Sequence, residues 1–155
     1  MYTNTILTCY VVIQNEGRYL LVEKKHPLGG NPSWNFLRNE IHVGESLVKT
    51  ATRIAKEDIG VEIQLTGIVK VLYHSSLSRR AEKSGGISLA FAFYATATNR
   101  PAKFSLGRDV LATKWITKEE LASTKFGGPQ GTYIARQVAA GENYPLSLFG
   151  PDKME

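Results

Sequence analysis

Hydrophobic and polar positions along the chain change period several times, and those changes outline the elements. Residues 6–13, ILTCYVVI, form an apolar run rich in β-branched side chains, which predicts a strand. Asn15, Glu16 and Gly17 make a turn signal, and RYLLVEKK (18–25) reads as a second strand returning in a hairpin. The Pro- and Gly-rich stretch HPLGGNPS (26–33) is a loop, followed by a short strand at WNFL (34–37). From Ser46 to Asp58 the pattern turns helical: Ser46 suits an N-cap, and Gly60 suits the left-handed residue after a helix end. Two long strands are expected at 61–74 and 86–98, joined by the polar loop SSLSRRAEKSGG. A last strand at 112–116 runs into Thr117 and Glu120 at capping-box spacing, and a final helix spans Gly128 to Ala140. No repeat, linker or low-complexity tract interrupts this order. It predicts one mixed α/β domain over residues 1–155, and the hairpins exclude a purely parallel sheet.

Composition narrows the function more than the fold. The 43% hydrophobic and 21% charged residues are the ordinary balance of a soluble globular protein. A net charge of +5 suits a phosphate-bearing small molecule without requiring nucleic acid, and no recognition helix accompanies it. The single cysteine, Cys9, lies in an apolar run, which excludes an internal disulfide framework and reads as a buried structural thiol. The first residues lack a basic n-region and no apolar run is long enough to span a bilayer, so a cytoplasmic location without a membrane partner is expected. A homodimer is compatible with the sequence but not specified by it.

The helix over 46–58 raises a chemical question. With about 100° per residue and Leu47 at zero, Ala51, Ala55 and Val48 fall between about 40° and 100°, marking a core face. On the same wheel Asp58 lands at about 20°, inside the apolar stripe, Glu57 at about 280°, beside it, and Ile54 at about 340°, between the two acids. A carboxylate aimed at an apolar face is costly unless a bound cation, or an arginine such as Arg53, compensates it. The plain alternative is a pair of solvated charges in a last turn, where they oppose the helix dipole. Helical position alone does not separate the metal-binding reading from the structural one.

The surrounding pattern says more. The segment NEIHVGESLVKTATRIAKEDIGV (39–61) resembles the Nudix box, G-x5-E-x7-R-E-U-x-E-E-x-G-U, with U a bulky aliphatic residue. Glu45, Arg53, Glu57, Gly60 and Val61 match in register, Asp58 replaces the last glutamate, and Ala55 stands in for the aliphatic. Two positions depart from the pattern: Asn39 stands at the glycine, and Ile54 at the first glutamate of the R-E pair. Outside the box, PSWNF, KWITKEEL and GENYPLSLFG also look like small bacterial Nudix phosphatases of the MutT-like superfamily, which act on nucleotides and thiamine-type pyrophosphates.

The resemblance covers most of the chain and implies an α/β/α sandwich with a mixed central sheet. It also implies divalent-metal-dependent hydrolysis of a diphosphate linkage in a nucleotide or related small molecule. Mg²⁺ or Mn²⁺ takes hard oxygen ligands, neutralises phosphate oxygens and orients the attacking water. Carried over by position, Glu57 and Asp58 become metal ligands, Glu45 an accessory acid at the helix start, and Arg53 the group that orients the carboxylates. Glu57, Glu45 and Arg53 are thus the candidate catalytic residues. Ile54 occupies the place of a principal ligand, and Glu40, His42 and Asp109 are the residues whose loops could supply a substitute, although each alone is more often a surface residue.

Arg38, Trp34 and Tyr73 are the substrate-binding candidates. Lys24 and Lys25 could also meet phosphates, Phe91 could stack on a ring, and Arg79, Arg80 and Lys83 form a basic loop. Each has a plain reading too, since strand aromatics pack cores and strand-end lysines are solvated. Two functions follow: a pyrophosphohydrolase with an altered site, favoured by the retained Glu45, Arg53, Glu57 and Asp58, or a catalytically inactive Nudix-fold module binding a nucleotide-like ligand, favoured by Ile54.

Overall fold

A computed structural model of the chain describes residues 4–77, 85–99, 101 and 103–151; the basic loop with Arg79, Arg80 and Lys83 lies outside the described residues. The strands among them are β1 (Asn4–Asn15), β2 (Arg18–Lys24), β3 (Ser33–Asn35), β4 (Leu37–Glu40), β5 (Ile63–Leu77), β6 (Gly85–Ala97) and β7 (Val110–Thr117). The helices are α1 (Leu47–Ile59), α2 (Lys118–Leu121) and α3 (Pro129–Ala139). The strands join along the path β3-β2-β1-β6-β5, with β4 beside β1 and β7 beside β2. The β1–β6 pair is parallel and the other pairs are antiparallel, so the sheet is mixed.

Alternation along β1 builds two cores, because successive strand side chains point to opposite faces. Cys9, Val11 and Ile13 face Ala51, Ile54, Ala55 and Ile59 of α1. Tyr10 and Val12 face Leu121 of α2 and Ile134, Ala135 and Val138 of α3. The result is the expected α/β/α sandwich.

The caps of α1 follow the sequence closely. Ser46 Oγ accepts the Lys49 N–H at 3.1 Å, and Gly60 adopts φ 71° at the other end. The core stripe is shifted from the expected one: Thr50, Ile54 and Ile59 are buried with Ala51 and Ala55, whereas Val48 is 53% exposed. Val48 falls between Ala55 and Ile59 on the wheel, but it stands in the first turn of α1, where it is left uncovered. Thr117 forms the expected capping box, its Oγ1 accepting the Glu120 N–H at 3.3 Å while its own N–H donates to Glu120 Oε1 at 3.1 Å.

Two strand expectations change. The β1–β2 hairpin pairs only beside its turn, at Gln14↔Tyr19 and Asn15↔Arg18; the length of β1 instead runs parallel to β6 and antiparallel to β4. The strand expected at 34–37 divides at Phe36, which is fully buried and stacks on Phe126 at 5.2 Å. Glu40, expected in a loop, therefore belongs to β4 with Arg38 and Asn39, where backbone pairing to β1 holds three exposed polar residues. The tail straps onto β5: Tyr144 and Ile68 exchange backbone hydrogen bonds of 2.8 Å, and Phe149 packs 5.8 and 5.7 Å from Phe91 and Phe93. Among the described residues no helix is long and apolar enough to cross a membrane.

Candidate active site

The turn before α1 and the body of that helix are locked together by one arginine. Arg53 Nε donates to Glu45 Oε2 at 2.7 Å and Nη2 to Oε1 at 3.0 Å, a two-pronged grip suited to the planar guanidinium. The same Nη2 donates to the Glu40 carbonyl at 2.9 Å, and Nη1 reaches Glu57 Oε2 at 3.3 Å. Glu45 Oε1 also accepts from the His42 N–H at 3.0 Å and from Thr50 Oγ1 at 3.2 Å. The Arg53 hydrogen bonds, above all, hold the Glu45 carboxyl at about 2, opposed by partial burial. Glu45 is thus a fixed anion that sets the loop against the helix and is too acidic to take a proton near neutrality. Glu57, with its side chain 57% exposed, is the acid of this group that faces solvent.

Asp58 lies where the helical wheel put it, against the apolar face, with its side chain 13% exposed. Its compensating charge is Lys24, not Arg53: the ammonium stands 2.7 Å from Oδ2. That contact is an ion pair without hydrogen-bond alignment, and Oδ2 is otherwise inaccessible and unpartnered. Burial raises the Asp58 pKa, Lys24 opposes the rise, and the neighbouring charges of Glu57 and Asp109 add to it. Strand parity explains Lys24, since it shares the face of Leu20 and Val22, which points at α1. Lys24 also donates to the Arg38 carbonyl at 3.4 Å, so one ammonium joins β2, β4 and α1. The loop 105–109 closes over the last turn of the helix: the Ser105 N–H donates to Ile59 O at 3.1 Å and the Gly107 N–H to Asp58 O at 2.9 Å.

These residues do not fit a resident three-carboxylate metal cage. Ile54 is 1% exposed within the core, so its position is built into the packing against the sheet. Among the described residues no three His, Cys, Asp or Glu side chains gather closely enough to hold a metal ion. Of the proposed substitutes, His42 Nδ1 lies 3.8 Å from Glu45, Glu40 contributes its carbonyl to Arg53, and Asp109 accepts the Lys25 N–H on its carbonyl. Of the two proposed ligands, Asp58 is already paired to a cation and Glu57 is the exposed one.

The substrate candidates divide between the faces. The Arg38 guanidinium sits 6.0 Å from the Tyr10 ring, on the α3 side of the sheet, and only its carbonyl turns toward Lys24. Trp34 packs against the α3-side core, with Lys114 Nζ 4.2 Å from its ring centroid. Tyr10 donates to Gln130 Oε1 of α3 at 2.9 Å beside them. Tyr73 is not brought to this group: it is 65% exposed on β5, at the opposite end of the strand path from β3. Phe91 belongs to the α1-side packing. Cys9 is buried, and that burial pushes its thiol up to about 12, which agrees with a structural role.

Sequence reasoning missed the Lys24–Asp58 pair and the Thr50–Glu45 bond. Strand parity at Lys24 was the signal for the first; an inward-facing hydroxyl one turn after Glu45 was the signal for the second.

A family model for the NUDIX domain matches residues 4–137. The chain belongs to the Nudix family. Phosphatase NudJ of Escherichia coli K12 is 23% identical over 145 residues, covering 93% of this chain and 90% of that protein. The solved structure of a NUDIX hydrolase from Nitrosomonas europaea superposes with a TM-score of 0.78 at 21% identity, covering 97% of each chain. The E. coli ORF135 protein gives a TM-score of 0.71 at 17% identity, with 89% of this chain and 91% of that one covered. These two likenesses concern the fold. Glu45, Arg53 and Glu57 keep the spacing of the box and touch one another through Arg53, while Ile54 stands in the core and Lys24 pairs with Asp58.

Proposed function

We propose that this Nudix protein hydrolyses a diphosphate linkage in a nucleotide or related small molecule. The observation that carries the reading is the Glu45–Arg53–Glu57 linkage, which spans the box at family spacing and leaves Glu57 facing solvent. In this reading Glu57 accepts a proton from the attacking water, since Glu45 is too acidic and Asp58 is closed off behind Lys24. Arg53 holds Glu57 in place from within its own helix. The new oxygen bonds to phosphorus as the bridging P–O bond breaks, and the departing phosphate leaves with the bridging oxygen.

The Mg²⁺ or Mn²⁺ used across the family belongs, in this reading, to the substrate: a diphosphate brings its ion, and the protein adds carboxylate rather than a complete cage. Trp34, Arg38 and Lys114 lie on the opposite face of the sheet from Glu57, so in this reading they meet the remainder of a nucleotide that passes around the β4 edge.

A second reading, a Nudix-fold module that binds such a ligand without turnover, is favoured by the burial of Ile54 and the closure of Asp58 by Lys24. Release of phosphate or pyrophosphate from nucleoside di- and triphosphates and thiamine diphosphate, with and without Mg²⁺ or Mn²⁺, separates the two. Turnover that needs the ion supports the hydrolase; saturable binding without turnover supports the module.

A further inference from the structure

Three elements meet at Lys24. Its ammonium lies 2.7 Å from Asp58 Oδ2 on α1 and 3.4 Å from the Arg38 carbonyl on β4, while the lysine itself ends β2. A carboxylate oxygen and a backbone carbonyl are the hard oxygen donors that a small divalent cation prefers. Here a side-chain cation has them.

The contact differs from an ordinary surface pair. The side chains are 27% and 13% exposed, and Oδ2 has no other partner. Among the described residues, the other charged groups beside Asp58 do not compensate it. Arg53 is engaged by Glu45 and Glu57, while Glu57 and Asp109 are acids that raise the cost of a second negative charge. The place of a further acid on the helix is taken by Ile54, which faces the core.

We propose that Lys24 is the built-in cation of this site, holding the place beside Asp58 that a protein-bound divalent ion would need. A doubly charged ion on those oxygens would stand beside the ammonium, and repulsion between the two cations strongly favours one occupant over both. Lys24 therefore excludes a resident metal from Asp58 and ties the end of β2 to the last turn of α1. The inference concerns cation binding alone and holds whether or not the protein turns a substrate over.

The test is direct Mn²⁺ binding, read from the electron paramagnetic resonance signal of free Mn²⁺, without any nucleotide. Lys24→Met should bind Mn²⁺ tighter than the natural protein by about tenfold or more, since it leaves Asp58 as an uncompensated acid. The double variant Lys24→Met with Asp58→Asn should lose that gain. Lys24→Met should also melt lower than the natural protein without Mn²⁺ and regain stability with it. Lys24→Gln serves as the second variant if Lys24→Met does not fold. Affinity unchanged in a folded Lys24 variant would overturn the proposal. So would a gain that survives Asp58→Asn, or tight Mn²⁺ binding by the natural protein that Asp58→Asn abolishes.

Discussion

Ile54 and Asp58 are one helical turn apart, and the structure treats them in opposite ways. Ile54 sits in the core with Ala51, Ala55 and Ile59, so a glutamate there would carry its charge into the packing between α1 and the sheet. Ile54→Glu should therefore destabilise the protein by about 3 kcal/mol or more, the scale of an uncompensated buried charge. Ile54→Val should cost only about 0.5–1.5 kcal/mol. Urea unfolding of the two variants, with and without Mn²⁺, measures both values, and the ion should rescue little of the first. At this scale the sequence was informative about direction and silent about partners. The wheel placed Asp58 on the apolar face correctly, because helix geometry is local. It could not assign Lys24 as the counter-charge, because that lysine arrives from the end of another strand.

Helix α1 works as an element because both of its ends are fixed from outside. Ser46 caps the start, Arg53 ties the body to the preceding turn, and the loop 105–109 lies on the last turn. Gly107 permits that last contact, since a Cβ at this position would overlap the Glu57 carbonyl oxygen. Gly107→Ala must push the loop away from the backbone of Glu57 and Asp58, an overpacking that costs on the order of 1–3 kcal/mol. Thermal melting should report the loss, and amide hydrogen exchange should localise it to the final turn of α1. The caps of α1 and α2 were legible in the sequence because capping chemistry depends on a few adjacent residues. The break between β3 and β4 was not, because it depends on Phe36 finding Phe126 across the fold. The parallel pairing of β1 with β6 left no local trace for the same reason: its partners are remote along the chain.

At the scale of the whole molecule, the sandwich places an acid helix on one face of the sheet and an aromatic, cationic group on the other. The spacing of the box anticipated the first face. It did not anticipate that Trp34 and Arg38 would share the second with Tyr10 and Lys114, or that Tyr73 would stand at the far edge of the sheet. Face assignments of that kind require the strand register, which three short or irregular strands concealed. The proposed turnover of diphosphates runs through Glu57. The most direct measurement is the rate of phosphate release, at saturating nucleotide and Mn²⁺, for the natural protein, Glu57→Gln and Glu119→Gln. Glu119, in the first turn of α2, controls for the loss of one exposed carboxylate. A general-base role for Glu57 predicts a fall on the order of 10²–10⁴-fold for Glu57→Gln and an unchanged rate for Glu119→Gln. Equal rates in the natural protein and Glu57→Gln would contradict it.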